Sequence, residues 1–348
     1  VSQVPKGSGL ERLARWSRRE WRLLAGLALS VVCLALAVRG TSPQALWQAL
    51  ATAQWQWIGP AIVLVVAGTV FKTLRWQALF FPQRVPLARL WSIFCIGQML
   101  NTLLPARAGE VGRLYYVGEV EGTSRSQALS TIVVEKMVDL IMLALAYLLV
   151  AAWLATTSIV LPDWLHAAGT AVLPLAGLAL GGLLILAYFG RPAWRSLRRV
   201  LAPLPPAWRE RLEAAAERAV VGFEALRHPP TSLRVWLWSL LAWIFSVAIN
   251  VLVFRAFEID LGWSEALLLV VVLMSGVAVP PLPGNLGVFP YLCQLTLSLF
   301  GVPAETGLVY GLVLQAVAYL PLVVLGLVLL LRENWTLRRA SSAPGPPG

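Results

Sequence analysis

Six stretches of the chain are apolar over a length that predicts membrane-spanning helices: Arg22–Val38, Ile58–Leu74, Ala128–Trp153, Ala171–Phe189, Val235–Phe254 and Gly307–Leu331. A helix needs about 20 residues to cross the hydrocarbon core, so the first two are short unless flanking residues help. Helix is the state that pairs every backbone group inside hydrocarbon. Three further apolar runs, Trp91–Leu104, Ala266–Val279 and Leu286–Phe300, are short for a span and long for a loop. Prolines and glycines break them: Pro105 and Gly109 after the first, and Pro280, Pro281, Pro283, Gly284 and Gly287 between the other two.

Charge gives the runs a side. Residues 1–22 hold six basic and two acidic residues, 72–89 four basic and none acidic, and 190–234 nine arginines against four glutamates. These segments and the arginines of 332–339 belong in the cytoplasm by the positive-inside rule, whereas 39–57, 155–170 and 255–265 are poor in basic residues and belong outside. Both termini are then cytoplasmic. Parity requires residues 91–127 to return to the side they left, and 255–306 likewise from the opposite side. One re-entrant helical hairpin in each half satisfies this most simply, and two short full crossings in either place satisfy it too. The expected fold is therefore all-α and polytopic, with about six full transmembrane helices plus two oppositely oriented re-entrant hairpins. That topology is the pattern of an inverted-repeat transporter, although the halves share no clear residue-level match.

The expected organisation is a basic cytoplasmic N-terminus (1–21), a membrane domain (22–332, halves about 22–153 and 171–331) and a proline-rich, disordered tail (333–348). In the connector 190–234, Trp208, Leu212, Ala215, Ala219 and Phe223 recur at three to four residues, which predicts an amphipathic helix on the membrane or the bundle. The apolar run after the basic N-terminus resembles a signal peptide but lacks a clean cleavage site, so an uncleaved first helix is expected.

Composition narrows the function classes. The chain is 58% hydrophobic and 13% charged, with a mean hydropathy of +0.74; soluble domains carry about 25% charged residues. The net charge of +11 follows the topology, which argues against a nucleic-acid partner. Tryptophans such as Trp55, Trp57, Trp76 and Trp91 stand near run ends and read as interfacial anchors. Cys33, Cys95 and Cys293 lie in apolar runs without paired spacing and read as lipid-facing or packing residues. No metal-ligand cluster is visible and no cofactor is expected.

Two polar clusters need a reason. In LLPARAGEVGR, Arg107, Glu110 and Arg113 fall at i, i+3 and i+6, so adjacent members can meet on a helix. At membrane depth they must be paired or wetted. Glu110 pairing with one arginine leaves the other to hold an anionic headgroup through its fork; a solvated cytoplasmic turn is the plain alternative. In VVEKMVDL, Glu135 and Asp139 share one face of an apolar helix, with Lys136 about 100° away. They call for at least one salt bridge to Arg107, Arg113, Lys72 or Arg75. The outcome is a structural ion-pair network or a proton relay. Lys72 and Arg75, at the end of the second span, either snorkel to the surface or line the same site. Asn101 and Asn285 neighbour the helix breaks and are the amides best placed to line a cavity.

These residues carry a resemblance. FKTLRWQALF, GQMLNTLLPARAGEVGRLYYV, ALSTIVVEKMVDLIML and PLPGNLGVFPYL, in that order, resemble the lysylphosphatidylglycerol synthase transmembrane-region family of flippase-like membrane proteins, over about residues 20–332. It is similar to the flippase half of the bacterial multiple-peptide-resistance factor and to relatives encoded with hopanoid-lipid pathways. The matching positions are Asn101, Pro105, Arg107, Gly109, Glu110, Arg113, Glu135, Lys136, Asp139, Pro283, Gly284 and Gly287. Many relatives carry a glutamate soon after the last glycine, where Phe289 and Pro290 stand here. The resemblance implies a bacterial inner-membrane protein that flips or scrambles an anionic phospholipid or lipid-linked phosphate. Arg107, Arg113, Glu110, Asn101, Lys72, Arg75 and Asn285 are the substrate-site candidates. The 348 residues hold no Walker motif and no hydrophilic segment long enough for an aminoacyl-transferase domain, so an enzyme is the weaker expectation. A membrane-embedded lipid transferase and a scaffold partnering lipid-synthesis enzymes are the competing readings.

Overall fold

The computed structural model describes residues 32–33, 35–39, 41–83, 85–104, 108–121, 125–157, 163–184, 225–276, 285 and 287–342. In chain order they form helices α1 (Pro43–Ala51), α2 (Ile58–Ala78, preceded by a 3₁₀ turn at Trp55–Trp57), α3 (Leu87–Leu103), α4 (Ala108–Glu121) and α5 (Arg125–Leu154). There follow α6 (Asp163–Leu184), α7 (Pro229–Ala256), α8 (Trp263–Gly276), α9 (Val288–Ser298) and α10 (Ala304–Ser342).

The helix ends follow local chemistry. The Ala45 amide donates to the Ser42 hydroxyl at 3.1 Å, and Pro43 opens α1 without forfeiting a hydrogen bond. Leu104 is extended (φ −109°, ψ 145°) and stops α3, as expected immediately before a proline. Two prolines begin α7. Gly287, at φ +89°, starts α9 from a backbone conformation that a side chain would strain.

Among the described residues, four helical stretches are long and apolar enough to cross a membrane: Trp55–Ala78, Gln127–Leu154, Pro229–Ala256 and Ala304–Arg332. The protein is an all-α polytopic membrane protein. They contain the expected spans at 58–74, 128–153, 235–254 and 307–331. The expected span Ala171–Phe189 falls partly in α6, where the apolar stretch is the short Val172–Gly182 around an internal Pro174. Most of the expected span Arg22–Val38, and Trp208, Leu212, Ala215, Ala219 and Phe223 of the amphipathic connector, lie outside the described residues.

The bundle is built on a few contacts. α2 packs along α7, and α10 lies against α3, α9, α2 and α1. The largest core joins Val65 of α2, Tyr147 of α5, Val271 of α8, Cys293 of α9 and Tyr310 of α10. A separate core of Trp76, Phe80, Leu90, Phe94, Val117 and Ala128 lies where α2, α3, α4 and α5 meet. Close approach depends on small residues, as is usual where helices associate without help from water. A Cβ on Gly326 of α10 would lie 2.8 Å from the Cys95 carbonyl oxygen of α3.

One expectation is corrected and two open alternatives are narrowed. Trp76 is fully buried rather than interfacial, because α2 continues to Ala78 and carries this ring between α3 and α5. Arg75 does not snorkel: it sits inside the helix and is 2% exposed. Cys33, Cys95 and Cys293 are all buried, which favours packing over a lipid-facing role.

Candidate functional site

α2, α4 and α5 bring their charged residues together. Arg75 of α2 donates from both terminal nitrogens to Asp139 of α5, and its Nη2 is 3.3 Å from Glu135 Oε1. Arg113 of α4 reaches the other oxygen of Glu135 at 2.8 Å. One carboxylate thus bridges two arginines from different helices. Arg75, Arg113 and Glu135 are at most 4% exposed, whereas the Asp139 side chain is 38% exposed. One turn earlier on α4, Glu110 pairs with Lys136 at 2.7 Å on the more open side of the network.

Aromatic and hydroxyl groups set the arginine positions. The Arg113 guanidinium carbon lies 4.1 Å from the Trp76 ring centroid and 4.7 Å from that of Phe94, so aromatic rings flank the cation. Trp76 is fixed in turn by donating its indole N–H to Thr131 at 3.0 Å. Arg75 also reaches the Ser239 hydroxyl of α7 at 3.4 Å. The Nε atoms of both arginines are buried without a hydrogen-bond partner. Desolvated charges of this kind persist only when paired with good geometry, and here two arginines balance two carboxylates.

The α3–α4 contact lets Arg113 reach its place. A Cβ on Gly109 would overlap the Gly97 carbonyl oxygen, and one on Gly97 would meet the Arg113 stem at 2.6 Å. Asn101 lies at the same crossing. Its Nδ2 donates to Gln98 at 3.5 Å, and its buried Oδ1 has no hydrogen-bond partner.

The structure therefore joins Arg75, Arg113, Glu110, Glu135, Lys136 and Asp139, with Asn101 and Gly109 at the adjacent helix crossing. The expected pairing of Glu110 with Arg113 is not made. Arg113 turns to Glu135 in the buried layer, leaving Glu110 to the exposed Lys136. Asn285 is not part of the network; it donates to the Tyr319 hydroxyl at 3.0 Å from a left-handed backbone (φ 53°). Pro105, Arg107, Pro280, Pro281, Pro283 and Gly284 lie outside the described residues. Sequence reasoning missed Trp76, Phe94, Thr131 and Ser239. Trp76 directly follows Arg75, and a tryptophan beside a membrane arginine was the available signal, although adjacency alone favours a surface anchor.

Lys72 is the remaining cation. It is partly buried on α2, within the electrostatic reach of Asp139. No hydrogen bond or ion pair joins it to another described residue.

Fold and site together define a polytopic helical membrane protein with compensated charges held among its spanning helices. The profile of the family described as "Lysylphosphatidylglycerol synthase TM region" matches residues 23–326, and the chain belongs to that family. Membership and architecture assign it a general lipid-related membrane function. No curated protein and no solved structure gives a match.

Proposed function

We propose that the protein translocates an anionic phospholipid or lipid-linked phosphate across the cytoplasmic membrane, with the phosphate neutralising Lys72. The carrying observation is a partly buried cation without an ion pair. Glu110, Glu135 and Asp139 are engaged by Lys136, Arg113 and Arg75, whereas no ion pair joins Lys72, within electrostatic reach of Asp139, to a described residue. An unmatched charge among spanning helices calls for a counter-ion or water. A phosphodiester in the same leaflet supplies one without leaving the bilayer, its tails staying in hydrocarbon. Arg75 and Arg113 act here as positioning residues, because Glu135 and Asp139 already occupy their forks.

The two pairs of short helices, α3 with α4 and α8 with α9, are the moving parts of this reading. They serve as oppositely oriented re-entrant hairpins whose alternate opening passes the headgroup along α2. The termini lie in the cytoplasm by the distribution of arginine and lysine.

Reconstitution tests the reading. In proteoliposomes containing fluorescently tagged phosphatidylglycerol, Lys72→Gln is expected to slow translocation about tenfold or more, the equivalent of losing a charged hydrogen bond of roughly 1.5–3 kcal/mol. Its thermal unfolding should match the wild type, since no ion pair is removed. Wild-type rates in a folded Lys72→Gln protein would overturn the assignment.

A further inference from the structure

A second feature lies toward the opposite end of α2. α1, the start of α2 and the first half of α10 enclose a groove of about 640 Å³, within the size range of specific ligand sites. Among the described residues, no charged side chain lines it. Trp47, Trp55, Ile62, Leu312, Ala316 and Pro321 mark its extent. From Ile62 to Lys72 is about 15 Å along α2, at 1.5 Å per residue, so the groove is distinct from the charge network.

We propose that this groove is a binding site for a single hydrocarbon chain of a membrane lipid, in the leaflet opposite the network. Three observations select that occupant. Two of its three walls, α2 and α10, belong to helical stretches long and apolar enough to span the membrane, which sets the groove beside hydrocarbon, and an uncharged wall suits a chain rather than a headgroup. Along α10 the groove runs from Val309 to Pro321, about 18 Å at the helical rise, close to the roughly 15 Å of one leaflet's hydrocarbon. Trp47 and Trp55 are 70% and 52% exposed and stand where an interfacial anchor belongs. Beside them, Gln54 donates to Glu258 in a polar layer at the rim.

Because the surrounding lipid is as apolar as the wall, retention comes from dispersion contact with a concave surface and not from escape from water. The bound chain therefore exchanges with the bilayer while remaining over-represented in the groove.

Photolabelling of the full chain tests this. The protein is reconstituted in phosphatidylcholine vesicles in which a fraction of the lipid carries a diazirine at the end of one acyl chain, and adducts are mapped by mass spectrometry. Adducts are expected to concentrate on the groove residues over Leu178 and Leu237, which are 73% and 44% exposed on other helices. Ala316→Trp fills the groove and should abolish that excess while leaving labelling of Leu178 and Leu237 unchanged; Leu312→Trp is a second filling variant. Equal labelling of groove and control leucines in the wild type would overturn the proposal by itself. So would an excess that survives both substitutions, or a chain-to-chain link from a photoreactive residue placed at Leu312, which would make a second copy the occupant. The readout is occupancy, so its outcome is separate from the translocation result at Lys72.

Discussion

Glu135→Ala is expected to cost about 3–5 kcal/mol, the loss typical of breaking a buried ion pair and leaving its partner uncompensated. The size follows from the bridge. Glu135 is 4% exposed and contacts both Arg75 and Arg113, themselves 2% exposed. Its removal deprives Arg113 of its carboxylate and leaves Arg75 with Asp139 alone. Against a typical total stability of about 5–15 kcal/mol, the variant should lose much of its monodisperse protein after mild heating in detergent. Glu135→Gln should behave similarly, because an amide keeps the shape but not the charge. Asp139→Ala is the contrast: the side chain is 38% exposed and Arg75 retains Glu135, so a loss nearer 1 kcal/mol is expected. Equal melting of Glu135→Ala and wild type would show that the two arginines find water or lipid phosphate in place of the carboxylate.

The second large effect belongs to the backbone. Gly109→Ala places a methyl group onto the Gly97 carbonyl oxygen, and neither side of that contact is a flexible side chain that can step away. α3 and α4 must separate, at a cost of at least about 1–3 kcal/mol by comparison with overpacked cores. Arg113 and Glu110 ride on α4, so the shift also loosens their contacts with Glu135 and Lys136. Both stability and translocation should fall. Gly177→Ala in α6 is the matched control. Nothing lies within 4 Å of its Cβ position, and the better helix former is expected to be neutral or to stabilise by up to about 1 kcal/mol. Differential melting of the two variants checks the contact directly.

Much of this architecture was legible in the chain. The Glu135–Asp139 spacing placed two carboxylates on one face of an apolar helix, and Lys72, Arg75, Arg107 and Arg113 were the available cations, so a salt bridge among them followed from desolvation. Gly109 read as a helix break, and its close contact with Gly97 of the neighbouring helix was not visible in local spacing. The partner choice was hidden, because local spacing fixes which residues share a face but not the rotation at which two helices dock. That rotation turns Arg113 inward between Trp76 and Phe94 and leaves Glu110 at the edge for Lys136. The end of α2 was hidden for a related reason. Hydropathy falls at Lys72 and suggests an interface there, yet the helix continues to Ala78 and its partners cover Arg75.

The bridge across α2 and α5 also bears on biogenesis. Arg75 and Asp139 are 64 positions apart, so a ribosome delivers the cation to the translocon well before its carboxylates. Arg75 stands in the last turn of α2, where an arginine that reaches the headgroups costs less than the about 2.5–3.5 kcal/mol of a helix centre. The expected course is that the second span inserts with this guanidinium at the headgroups, and that Arg75 turns inward once the Glu135 helix supplies its carboxylates. A nascent chain arrested before Glu135 is then expected to expose Arg75 to a water-soluble reagent that the finished protein excludes.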